Sequence, residues 1–459
     1  VKFLPTSFEA RMGNLLGEEL PLFIHSLQTN PTTSIRWNPK KVVDPAIEQP
    51  ITWTSFGSIL VERPKFNLDP LWHAGAYYVQ ESSSMFLEQF VKRMTLPETA
   101  IALDACAAPG GKSTHLLSLL PDDAVLICNE VISKRNAILQ ENLVKWGHSN
   151  YIVTQNDIQQ FESLPHFFDV VVIDAPCSGE GLFRKDKAAI QDWSDEHVKT
   201  CAVRQAKLLE SLLETVKING YLIYSTCTFS EAENEDNIRP LLDSGDWELV
   251  QIDITNFAEI TLGKDKIGYR FYPHKIMGEG FYIAGLKRIR ANHSKLQNSK
   301  EKTKYKKTKS MDLQLVDTGT LSIIQPWLKE NIFPHIGFQF NEWIVLFPTN
   351  HQATLNIIWA HLNVTRIGVL AGKIMHQQLI PEHPLAISQL MNNTFATIDA
   401  DLTMALLFLQ KKTFEVPSES ALGWNLIQYK GVHLGWIKVL GNRINNYYPK
   451  NWSIQNFNG

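Results

Sequence analysis

IALDACAAPGGKSTHLL, residues 101–117, changes character twice in a short span. It opens as an apolar run, breaks at Asp104 into small residues and the pair Gly110-Gly111, and continues in a helical pattern. A short, near-continuous apolar run is the pattern of a parallel strand buried on both faces. A glycine break followed by a helix makes it a strand–loop–helix unit. The glycines allow a ligand to approach the backbone closely, and a helix N-terminus favours an anion. The spacing is neither GxGxxG nor GxxxxGK[ST], so a phosphate cradle is disfavoured.

The same alternation repeats on the C-terminal side. AVLICNE (124–130), NYIVTQND (150–157), FDVVVIDAP (168–176) and GYLIYSTC (220–227) read as further buried strands, and FYIAGLKR (281–288) as a late one. SKRNAILQENLVKWG (133–147) and HVKTCAVRQAKLLESLLETVK (197–217) are helical patterns between them. Strands alternating with helices predict an α/β fold with a doubly wound sheet. In such sheets ligands sit beyond the carboxyl ends of the strands, so the strand-end residues are read together. Glu130 ends the second strand, where an acid accepts both hydroxyls of a ribose. Asp157 follows the third. It is placed to bond an adenine amino group or, equally, to cap a helix starting at Ile158. A glycine loop, a ribose acid and an adenine acid point to a nucleoside cofactor held without a phosphate cradle. S-adenosylmethionine fits that order better than NAD.

The fourth strand runs into DAPCSGEG (Asp174–Gly181) and the fifth ends in STCT (Ser225–Thr228). A single strand-end cysteine is usually packing. Two, Cys177 and Cys227, at one sheet edge with Asp174 beside them, indicate chemistry. Cys128, Cys201 and the thiol of Cys106 read as packing.

The chain has 459 residues, enough for about three domains. Its five cysteines are odd in number and form no Cys-x-x-Cys pair, which disfavours a disulfide framework and a structural zinc. No run of about 18 apolar residues predicts a membrane span. A reduced, cytoplasmic protein is expected. Net charge is −3, but residues 287–310 hold ten Lys/Arg against one Glu. That basic strap reads as a solvated linker and as a contact for RNA phosphates. The first 63 residues read as a small mixed domain with an amphipathic helical start. After about Thr318, EWIVLF, TRIGVLAG and the closing YKGVHLGWIKVLGNRINNYYP (429–449) suggest strands ending in a small β-barrel. Tyr447 and Tyr448 read as base-stacking or core.

APGGK (Ala108–Lys112), Asn129-Glu130, DAPCSGEG and STCT, in this order, resemble the NOL/NOP/Sun family of RNA 5-methylcytosine methyltransferases. The resemblance runs from about Leu4 to Arg288. It includes SIRWN (Ser34–Asn38), similar to the family's usual Arg-Val-Asn, and YYVQESSSM (Tyr77–Met85). It departs at Trp37, where Val is usual, and at Ser113, where Thr is common. The length, linker and C-terminal stretch look most like the bacterial small-subunit rRNA methyltransferase F group, whose tail is a PUA-like RNA-binding module.

That resemblance implies a Rossmann-like methyltransferase core (64–290) behind a small N-terminal α+β domain (1–63). A basic linker (291–318) would follow, then a mixed C-terminal region (319–459) ending in a PUA-like β-barrel. It implies S-adenosylmethionine-dependent methylation of cytosine carbon 5 in 16S rRNA, with RNA as partner and neither membrane nor metal. The same chemistry on tRNA or 23S rRNA, and a non-catalytic assembly factor, are the alternatives. Carbon 5 is too weak a nucleophile to take a methyl group unaided, and a thiolate added at carbon 6 activates it. The resemblance assigns the nucleophile to Cys227, contact with cytosine N3 and its amino group to Asp174, and release to Cys177. The cofactor would be held by Cys106, Ala107, Ala108, Pro109, Gly110, Gly111, Lys112, Glu130, Arg135, Asp157 and Asp174. Gly179 and Gly181 would let their loop lie against a flipped base. Lys112 and Arg184 are candidates for cofactor and phosphate contacts, with a solvated surface role as the other reading of Arg184.

Overall fold

The apolar runs of the middle third become the strands their pattern predicts. In the computed structural model, which describes residues 4–45, 47–290, 314–330, 334–392, 394–441 and 443–454, four sheets form. An N-terminal antiparallel sheet holds β1 (Thr33–Trp37), β2 (Gln49–Pro50), β3 (Gly57–Leu60) and β4 (Tyr77–Val79) in the order β2-β3-β1-β4. The expected boundary at residue 63 falls between its last two strands. The large sheet is built on β5 (Ile101–Asp104), β6 (Val125–Asn129), β7 (Tyr151–Thr154), β8 (Phe168–Asp174) and β9 (Val216–Thr226). These five are parallel and lie in the order β9-β8-β5-β6-β7.

Chain direction across the sheet reverses between β5 and β8, and a crevice opens at such a switch point. The loops after Asp104 and after Asp174 therefore emerge side by side. On the β9 side the sheet continues through antiparallel strands. β10 (Trp247–Leu249), β11 (Thr261–Leu262) and β12 (Tyr269–Phe271) are short, and β13 (Phe281–Arg288) pairs directly with β9.

Both faces of the parallel strands are covered. Leu116, Leu139 and Leu143 pack on one face with Ala102, Leu126 and Val172. Leu209, Leu212 and Ile238 pack on the other with Leu103, Ile127 and Ile173. Each of these Leu, Ile and Val side chains contributes about 1.5–3 kcal/mol by leaving water, and this holds the strand ends under the loops.

The C-terminal region is joined to this core more closely than its sequence suggests. Its first sheet contains β14 (Gln314–Leu315), β15 (His335–Phe340), β16 (Trp343–Pro348), β18 (Val369–Met375) and β19 (Gln378–Pro381). β17 (Val364–Ile367) leaves that sheet and pairs antiparallel with β7, closing the edge of the large sheet. The run TRIGVLAG is thus two strands, divided at Gly368, whose φ of +40° lies in the left-handed region. The last sheet holds β20 (Thr397–Asp399), β21 (Gly423–Tyr429), β22 (Val432–Val439) and β23 (Ile444–Asn446). The basic strap lies outside the described residues beyond Arg290. Among the described residues no helix is long and apolar enough to cross a membrane.

Candidate active site

At the end of β5 the chain enters Cys106–Gly110 and turns into the helix Gly111–Leu119. Gly110 stands at the helix N-cap with φ 113°, a conformation that disfavours any side chain. It supplies no capping group, so the first-turn N–H groups of the helix have no capping side chain and suit a carboxylate. Below the loop, Asp104 is fully buried and accepts a hydrogen bond from Ser113 Oγ at 2.6 Å. Burial pushes its carboxyl up to about 7.

Glu130 is buried at the end of β6. Its Oε1 accepts the Ile132 N–H at 2.9 Å, and its Oε2 pairs with Arg135 at 3.1 Å. A carboxylate has about four acceptor positions, which leaves room for ribose hydroxyls. Arg135 also donates to the Ala108 carbonyl at 2.8 Å, and Asn142 to the Pro109 carbonyl at 2.8 Å. The acid and the glycine loop are thus held in one frame, and Arg135 is a strut of that frame. Asp157 caps the short helix Ile158–Ser163 through the Gln159 N–H at 3.0 Å. Its capping reading is therefore realised, and its side chain remains exposed at the same edge.

Asp174 ends β8 in register with Ser225 of β9. It accepts from Ser225 Oγ at 2.8 Å and pairs with Lys112 Nζ at 2.8 Å, while 41% of its side chain stays exposed. Lys112 lies 5.1 Å from the Phe281 ring centroid, so it spans the crevice from the cofactor helix to Asp174. Three residues on from Asp174, Cys177 meets Cys227 with the sulfurs 3.1 Å apart. The Cys227 N–H also points at Cys177 Sγ, at 3.3 Å. The hydrogen bond with Cys227, together with burial, holds the Cys177 thiol well above the usual range. The pair is assembled by two loops laced through their backbones. The Gly181 N–H donates to the Cys227 carbonyl at 2.8 Å, and the Phe229 N–H donates to Glu180 at 3.0 Å.

The arrangement is matched by known proteins in all three parts of the chain. The family described as 16S rRNA methyltransferase RsmB/F matches residues 93–287. The N-terminal domain of 16S rRNA methyltransferase RsmF matches residues 4–82, and the methyltransferase RsmF PUA domain matches 395–454. Ribosomal RNA small subunit methyltransferase F of Aeromonas salmonicida is 30% identical over 393 residues, covering 82% of this chain and 79% of its own. The chain belongs to the 16S rRNA methyltransferase RsmB/F family. The namesake protein of Vibrio vulnificus is 28% identical over 480 residues, covering 98% of this chain and 97% of its own. Among solved structures, a methyltransferase homolog protein from Pyrococcus horikoshii superposes with a TM-score of 0.53 at 27% identity, over 62% of this chain and 95% of that one. NSun6 from the same organism shares the fold, with a TM-score of 0.52 at 19% identity, over 62% and 99%. The Rossmann-like core with a PUA-like end is therefore the architecture of this RsmB/F member.

Two residues near the site differ from their sequence reading, and others follow one of the readings given. Arg184 is no phosphate contact: its side chain is buried and pairs with Glu279 at 2.9 Å and the Gly278 carbonyl at 2.6 Å. Gly181 serves backbone packing, since a Cβ there would sit 2.2 Å from the Gly280 carbonyl oxygen and 2.9 Å from that of Cys227. Tyr448 is core, 3.3 Å from His73, whereas Tyr447 is partly exposed against Trp424. Cys128 and Cys201 are buried, as their packing reading expects.

Two supports escaped the sequence. Arg36 of SIRWN is buried behind the cofactor helix, bonded to Gln80 at 2.8 Å and Thr114 at 2.7 Å and stacked 4.4 Å from Trp146. Arg11 of the helix Thr6–Leu16 reaches Glu180 from across the chain. The motif marked Arg36, but nothing in its spacing named its partners. Arg11 carried no signal beyond an amphipathic helix.

Proposed function

We propose that the chain transfers a methyl group from S-adenosylmethionine to carbon 5 of a cytosine in 16S rRNA, in the cytoplasm, through a covalent bond between Cys227 and carbon 6. The observation that carries this reading is the 3.1 Å approach of two free thiols at the ends of neighbouring strands, beside the Asp174–Lys112 pair. Bound S-adenosylmethionine supplies the electrophilic methyl group. The uncapped helix at Gly111 suits its carboxylate, and the remaining acceptor positions of Glu130 suit its ribose.

The chain's own groups then have an order imposed on them. Cys177 keeps its proton because Cys227 is its neighbour, so the Cys177 S–H donates to the Cys227 sulfur that attacks carbon 6. Asp174, partly exposed and oriented by Ser225 and Lys112, faces N3 and the amino group and balances charge as the adduct forms. Once the Cys227 sulfur is bonded to carbon, its hydrogen bond and its charge no longer hold the Cys177 proton. Cys177 then releases that proton to solvent and, as the thiolate, accepts the proton from carbon 5, while Cys227 departs as a thiolate and the double bond re-forms. Burial, which persists in the adduct, keeps the resulting thiolate basic.

The substrate cytosine has to leave any stack, at a cost of a few kcal/mol. We assign that grip to the flanking parts: the N-terminal domain of residues 1–63 with its sheet completed by β4, the basic linker 291–318, and the PUA-like end of region 319–459. Methyl incorporation into purified small subunits, naked 16S rRNA, 23S rRNA and tRNA, read by bisulfite sequencing, tests the proposal. The expected result is one set of modified 16S cytosines, abolished by Cys227→Ala while cofactor binding persists. Turnover retained in Cys227→Ala, or methylation confined to tRNA or 23S rRNA, would overturn it.

A further inference from the structure

Cys177 and Cys227 sit on separate loops, and a buried acid that belongs to neither thiol motif joins the residues that follow them. Glu233 is fully buried. Its Oε2 accepts the Ser178 N–H at 2.9 Å and Gln205 Nε2 at 3.0 Å. Its Oε1 accepts Ser178 Oγ at 2.5 Å and Thr228 Oγ1 at 3.2 Å. The two hydroxyls are themselves 3.0 Å apart. Ser178 directly follows Cys177, and Thr228 directly follows Cys227.

We infer that Glu233 is a positioning residue for methyl transfer, a carboxylate clamp that sets the separation of the two sulfurs by holding the residue after each. The inference rests on the proposed roles of the thiols for its effect on rate, but not for its geometry. Four donors converge on one side chain, and only a carboxylate accepts on both of its atoms. An amide could still serve all four partners by turning its NH2 toward the two hydroxyls, which also accept, so the discriminating change is Glu233→Met, which removes both acceptor atoms at nearly constant size. The loops retain other ties. Gly181 remains bonded to the Cys227 carbonyl at 2.8 Å, and Asn234 still holds Thr226 at 2.5 Å and the Thr228 carbonyl at 3.0 Å. Displacements of about 1 Å in a reacting pair lower rates by about a hundredfold.

The test uses the full chain and a trivalent arsenical, phenylarsine oxide, which chelates two thiols only when they are adjacent. Cys177→Ser provides the baseline for single-thiol binding. Glu233→Met should weaken arsenical binding at least tenfold and lower kcat for methyl transfer by about a hundredfold, with the KM for RNA and the affinity for S-adenosylmethionine within threefold of wild type. Thr228→Val, which removes one donor and leaves the acid, should give a smaller loss in both readouts and serves if the Met variant does not fold. Wild-type arsenical affinity in both variants would overturn the clamp, whatever the rates. Weakened chelation with an unchanged kcat would instead overturn the assigned thiol chemistry.

Discussion

Asp104 holds its proton to about pH 7 because burial at the end of β5 disfavours its charge, although Ser113 donates to it. In the unfolded chain an aspartate releases that proton near pH 4. Between those values the folded state binds a proton that the unfolded state does not, so stability falls as pH rises through the window. The full loss, on the order of 4 kcal/mol, stands above pH 7. Asp104→Asn should remove most of this fall. Urea midpoints at pH 5 and pH 8 measure it: the wild type should lose stability between them and the variant should stay nearly level. Equal slopes in both proteins would contradict the assignment. Cys177, Cys227, Asp174 and Glu130 were legible in the sequence because each ends an apolar run and strand ends converge in a parallel sheet. Glu233 was not, because it lies in the acidic stretch SEAENED and nothing in sequence separates a solvated acid from one buried beneath two loops.

At the scale of elements, β17 is the part that sequence reasoning placed in another domain. Its pairing with β7 is long-range, and the four residues VTRI, only two of them apolar, carry no sign of which sheet they join. Ile367 is buried in the core cluster that contains Ile152 and Ile358. The Gly368 N–H donates to the Tyr151 carbonyl and the Gln155 N–H to the Asn363 carbonyl, both at 3.0 Å. Deleting most of a buried Ile costs about 2–5 kcal/mol. Ile367→Ala should therefore lower the unfolding free energy of the catalytic core by that amount and its urea midpoint accordingly, followed through loss of S-adenosylmethionine binding in urea. A core transition that does not move, with only C-terminal fluorescence changed, would show that the strand does not brace the sheet. The strands flanking the site were readable for the opposite reason: residues buried on both faces leave continuous apolar runs.

Across the whole molecule the flanking parts meet the core at its loops and at one another. Phe8 packs 5.0 Å from Phe183 in the segment after Cys177, and Arg11 closes on Glu180 nearby. Lys145 of the helix Ser133–Trp146 lies between Trp72 and Trp452, 4.5 Å and 5.3 Å from their ring centroids. Tyr448 reaches His73 at 3.3 Å. RNA gripped by either end would be referred to the same crevice. The central claim is that the two thiols divide attack and release between them. Cys177→Ala incubated with 16S rRNA and S-adenosylmethionine, then run on a denaturing gel, tests it most directly. The account predicts a protein–RNA band that survives denaturation, carries the transferred methyl group, and vanishes in Cys177→Ala/Cys227→Ala. Free methylated RNA at the wild-type rate, with no such band, would contradict it.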